Sequence, residues 1–140
     1  MKSIPVLSAS VATLMIGLIP MASATPPESI EIETTPGSFT SNLPGCPSGT
    51  WQDELLHITG NFDKIILNIK VDKTLTCATG DEIVIRFLPK ARGVPFPQSG
   101  PWTIREGTLA GQDVHGSGWM TVDVDGGPPQ ELFTGKIHIG

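Results

Sequence analysis

Apolar and polar residues alternate along much of this chain with a period of two, the pattern of strands buried on one face. The clearest run is Lys64 to Cys77. Its odd positions are Ile65, Leu67, Ile69, Val71, Leu75 and Cys77, with Lys73 as the exception; its even positions are polar apart from Ile66. A run of this length is long for one strand, so a bulge or bend is expected near Asp72-Lys73. Ala78-Thr79-Gly80-Asp81 has turn chemistry. Glu82 to Leu88 then presents Ile83, Ile85 and Phe87 on one face, and the two runs are read as an antiparallel hairpin.

Shorter strands are expected elsewhere. Thr50 to Thr59 sets Leu56 and Ile58 opposite Trp51, Leu55 and His57. Trp102 to Glu106 is a strand, and Trp119 to Val124 alternates Met120, Val122 and Val124 with Thr121 and Asp123. Asp125 to Pro129 is a turn, and Leu132 to Ile139 closes the chain. Pro89 to Pro101, with four prolines, reads as a loop. The expected fold is all-β: a small antiparallel β-barrel of six to eight strands, preferred to a β-sandwich. An immunoglobulin-type sandwich wants distant cysteines with a core Trp between them, and Trp51 follows Cys46 by only five residues.

Composition sharpens this picture. With 16 Gly and 13 Pro among 140 residues, a coiled coil is excluded and a helical bundle disfavoured. A formal charge of −5 gives no electrostatic reason for a nucleic-acid partner. Residues 1–24 read as a secretory signal peptide: Lys2, an apolar run from Val6 to Ile19, Pro20, then the small-x-small site Ala22-Ser23-Ala24. Cleavage would leave no membrane span and a secreted, extracellular protein. Residues 25–47 form a Pro-rich segment with at most an edge strand at Ile30 and Ile32. Residues 48–140 are then the barrel domain. In an oxidising compartment Cys46 and Cys77, the only cysteines, are expected to form a disulfide.

Two stretches carry a resemblance. Cys46-Pro47-Ser48-Gly49-Thr50-Trp51 looks like the cysteine-led start of a first long strand. Gly107 to Gly118, Gly-Thr-Leu-Ala-Gly-Gln-Asp-Val-His-Gly-Ser-Gly, is similar to a glycine-rich hairpin, with Leu109 where a second Gly and Gly111 where an aromatic would stand. Both resemble small exported bacterial proteins related to the allene oxide cyclase and dirigent-like barrels. The resemblance implies a barrel and export, and no particular activity, since such barrels range from cyclases to proteins without assigned chemistry. Glycine here also has a plain packing role, in corners and close backbone approaches.

Little in the sequence points to catalysis. His57, His115 and His138 share no metal-ligand spacing, so no metal and no cofactor is expected. Gly116-Ser117-Gly118 lacks the outer spacing of a nucleophile elbow. Two charges stand at apolar-parity positions: Lys73, and Glu106 in line with Trp102 and Ile104. One reading makes Lys73, Trp102 and Glu106 the lining of a ligand cavity. The plainer and preferred one puts Lys73 at a bulge and Glu106 in water. The expected function is a secreted, non-catalytic barrel binding a small apolar molecule. The alternatives are an extracellular protein-interaction or inhibitor module, with Val94 and Phe96 as contacts, and a cyclase-type barrel enzyme.

Overall fold

A computed structural model of the protein describes residues 27–93, 98–123 and 130–140. The leader at 1–24, the contacts Val94 and Phe96, and the turn at 125–129 lie outside the described residues. The strands are β1 (Glu28–Thr35), β2 (Ser38–Leu43), β3 (Cys46–Asn61), β4 (Ile66–Cys77), β5 (Glu82–Phe87), β6 (Lys90–Arg92), β7 (Gln98–Leu109), β8 (Gln112–Asp123) and β9 (Gln130–Ile139). Each pairs antiparallel with the next, except β5, which pairs with β7 instead of β6, and β9 pairs with β1 to close a barrel of eight strands. The ninth, β6, lies between β4 and β7 and continues the row of β5 beyond Leu88-Pro89.

The hairpin read from the sequence is β4–β5. Its register sets Val71 opposite Phe87, Lys73 opposite Ile85 and Leu75 opposite Ile83, all of them buried. The expected bulge exists on the neighbouring strand instead. Leu55 pairs with Val71 and His57 with Lys70, leaving Leu56 as the extra residue of β3. β4 therefore keeps its parity through Lys73, which points inward. On β3 the bulge shifts the faces, so Ile58 joins Trp51, Asp53 and Leu55, while His57 lies on the other side. This corrects the grouping drawn from alternation alone.

The Pro-rich segment is also corrected. Its strand at Ile30 and Ile32 is not an edge: β1 has β2 on one side and β9 on the other. The barrel thus begins well before residue 48. Pro36-Gly37 and Pro44-Gly45 are hairpin turns, with φ of 81° at Gly37 and 72° at Gly45. Proline presets the first turn position and glycine accepts the positive φ of the second. Likewise Pro89–Pro101 is not all loop, since it contains β6 and the start of β7.

Side chains fill the barrel. Phe39, Leu75, Ile83, Ile85, Phe87, Trp102, Met120 and Phe133 are each at most 2% exposed, and burying a large apolar side chain contributes about 1.5–3 kcal/mol. Phe133 stands edge-on to Phe87 at 5.3 Å and to Trp102 at 6.4 Å. The Trp102 indole N–H donates to the carbonyls of Trp119 (3.1 Å) and Thr134 (3.0 Å). A Cβ on Gly135 would lie 2.8 Å from this ring, and one on Gly118 1.9 Å from the Thr134 carbonyl oxygen. The glycines here make room for backbone and indole. Cys46 and Cys77 form the disulfide (Cα–Cα 5.3 Å), tying the start of β3 to the end of β4.

Ala110 and Gly111 form the β7–β8 turn at φ 53° and 81°. An alanine at positive φ is strained by its Cβ, whereas Asn-Gly suits a two-residue hairpin turn. Ala110→Asn is expected to raise stability by about 1 kcal/mol, read as a higher urea midpoint at unchanged slope.

Candidate functional site

Because β4 does not flip at Lys73, its ammonium is carried into the barrel and is fully buried. Asp53, its cross-strand neighbour on β3, meets Nζ at 2.7 Å, and Glu131 of β9 meets it at 2.9 Å. Glu131 is held in turn by Thr34 of β1. The Thr34 hydroxyl donates to its carboxylate (3.0 Å) and accepts from its backbone N–H (3.2 Å). The ring of Trp51 covers the ammonium, with Nζ 3.5 Å from the ring centroid. That indole is locked by its own N–H, which donates to the carbonyls of Thr35 (2.7 Å) and Ser38 (3.0 Å) at the β1–β2 turn. Among the described residues no buried side-chain polar atom lacks a hydrogen-bond partner. A buried charge needs such an arrangement, because an isolated one would cost several kcal/mol.

A pocket of about 270 Å³ opens beside this cluster, lined by Thr34, Pro36, Trp51, Gln98, Val122 and Glu131. Trp51, Pro36 and Val122 give it apolar walls; Glu131, Thr34 and Gln98 give it a few convergent polar groups. Two carboxylates against one ammonium leave the cluster with a net charge of −1. Such a site suits a small body with an apolar face and a hydrogen-bond donor.

The other residues singled out in the sequence do not join it. Trp102 is a sealed core residue with its N–H already engaged. Glu106 is exposed on the outer face. Val84 pairs with Glu106 but Ile85 with Ile104, so Arg105 is an extra residue that turns Glu106 away from the interior. Lys73, Trp102 and Glu106 therefore do not line one cavity, and Lys73 is not at a bulge. His115 and His138, unrelated in sequence, are cross-strand partners whose exposed rings stack at 5.1 Å. No third ligand joins them: among the described residues no group of three His, Cys, Asp or Glu could hold a metal ion. Sequence reasoning missed Asp53, Thr34 and Glu131 as members of the site. Only Asp53 left a signal, by alternating with Trp51 and Leu55.

On the outer face of β4, Asp72 lies between Glu54 of β3 and Arg86 of β5. Arg86 grips it through Nε (2.8 Å) and Nη2 (3.0 Å), and Arg105 reaches it at 3.4 Å. The hydrogen bond to Arg86 holds the Asp72 carboxyl below its usual range, against an opposing effect of burial, with the charges of Arg86 and Arg105 adding to the lowering. A carboxyl depressed in the folded state stabilises above its unfolded value and stops doing so as pH falls through the folded one. Asp72→Asn is expected to lose about 1 kcal/mol at neutral pH. Urea midpoints measured from neutral to strongly acidic pH should then fall less steeply in the variant; an unchanged acid limb would count against this linkage.

Compared with known protein families, curated proteins and solved structures, the chain matches none. Among the described residues no helix is long and apolar enough to cross a membrane.

Proposed function

We propose that this is an exported, non-catalytic barrel that holds a small, largely apolar molecule at its mouth. The observation that carries this reading is the pocket beside the Lys73 cluster, where apolar walls and the carboxylate of Glu131 converge. A packed interior leaves the mouth as the place for a ligand, in contrast to barrels that enclose one. The ligand's apolar body would lie on Trp51 and Val122, and a hydroxyl or amine would donate to Glu131. Export is supported by the disulfide, which oxidising compartments favour, and by the leader-like sequence at 1–24. The likeness to allene oxide cyclase and dirigent-like barrels adds no ligand. Cyclase-type catalysis has less support, because Glu106 faces outward and Trp102 is sealed. The interaction-module alternative draws its support from the edge of β3, which begins at the pocket wall Trp51 and runs on past it to Asn61.

The test is native mass spectrometry of the protein from its own source. A retained small molecule is expected, and Val122→Trp, which fills the pocket, should abolish its retention. Native material with no bound mass, or a mass that survives Val122→Trp, would overturn the reading.

A further inference from the structure

β3 leaves β2 at Thr50 and runs on to Asn61 with β4 as its partner. Among the described residues, its other edge from Trp51 to Asn61 has no strand beside it. Exposed edges are blunted by brevity, proline, lysine or other charges, inward-pointing charges and β-bulges; of these the edge of β3 carries Glu54, the inward Asp53 and the bulge at Leu56. It is nonetheless long, has neither Pro nor Lys, and exposes Leu55 by 59% and Leu56 by 37%.

The bulge at Leu56 decides what such an edge can accept. It places Gln52 and Glu54 before it, and His57 and Thr59 after it, on the outer face; Asp53 and Ile58 share the inner face. Let a second copy of the strand run antiparallel so that Glu54 meets His57 of the partner subunit. Gln52 then meets Thr59 of the partner subunit, and Asp53 meets Ile58 of the partner subunit. Outer residues face outer ones and inner face inner. Leu55 and Leu56 gather at the two-fold axis, and the acids stand clear of one another. Without the extra residue, this register would set outer side chains against inner ones.

We propose that the edge of β3 is a homodimer interface, formed by antiparallel β3–β3 pairing with the two-fold between Leu55 and Leu56 and with Glu54 opposite His57 of the partner subunit. The contact is isologous, with main-chain hydrogen bonds supplying affinity and the polar Glu54–His57 pairs, together with the inner-to-inner and outer-to-outer match, fixing register. It extends one sheet across both barrels and does not depend on the mouth pocket.

Sedimentation velocity of the purified protein across a concentration series tests this. A dimer is expected, and Leu55→Lys with Leu56→Lys, which crowds four ammonium groups at the axis, should yield a folded monomer. His57→Glu alone sets like charges opposite and should weaken the dimer by about tenfold. Adding Glu54→Lys sets opposite charges across the pair and should recover it, a rescue that damage to the fold would not show. Both charge variants sit at exposed positions, so the test stands even if the leucine variant fails to fold. A monomer at every concentration, a dimer indifferent to His57→Glu, or a loss that Glu54→Lys does not repair would overturn the proposal.

Discussion

Removing both carboxylates from Lys73, as Asp53→Ala with Glu131→Ala, is expected to lower the stability of the barrel by about 3–5 kcal/mol. The ammonium would remain fully buried with only the rings of Trp51 and, at 5.7 Å, Phe87 beside it, and aromatic attraction is smaller than the loss of two ion pairs. Adding Lys73→Met to that double variant should recover most of the loss, because an unbranched apolar chain of similar length fills the space and needs no partner. Lys73→Met alone should cost only about 1–2 kcal/mol, since Asp53 and Glu131 keep some contact with water, at 34% and 17% side-chain exposure. The ordering of the three urea midpoints is the measurement. If Lys73→Met alone cost as much as the double carboxylate variant, the cluster would not be governed by burial of the ammonium.

Replacing both cysteines, as Cys46→Ala with Cys77→Ala, should cost about 3.5 kcal/mol from the chain-entropy model, for a sequence separation of 31. Alanine is the appropriate substitute because both residues are buried, and a serine hydroxyl would add its own unsatisfied group. Unfolding the wild-type protein in reductant should bring its midpoint down to that of the variant. A midpoint insensitive to reductant, or two free thiols titrated in natively purified protein, would count against the bridge.

The β4–β5 hairpin was legible because its alternation is interrupted only at Lys73 and Ile66, and the interruption at Lys73 pointed to the site. Its partners were hidden for two reasons. Asp53 alternates with Trp51, but which residue of β4 it faces depends on a bulge that no pattern marks. Glu131 lies on β9 and reaches the site only through closure of the barrel. A bulge at Arg105 likewise breaks the common face of Trp102, Ile104 and Glu106, which keep perfect parity in the sequence, while the preferred placement of Glu106 in water agrees with its exposure. The Pro-rich segment was illegible for a different reason. Proline lowers the expectation of strand, yet at Pro36 and Pro44 it occupies hairpin corners and leaves β1 and β2 intact. β6, three residues long, is too short for alternation to register.

Around the circle, only the β1–β9 pairing joins distant parts of the chain; the rest link strands that follow one another or have only β6 between them. Loop closure therefore weighs on a single late event, the docking of the first ribbon on the last, while the intervening meander can zip up locally. Weakening that seam, for instance with Ile32→Ala against Phe133, should hasten unfolding far more than it slows refolding. In a stopped-flow chevron the denaturing arm would rise and the refolding arm would barely move.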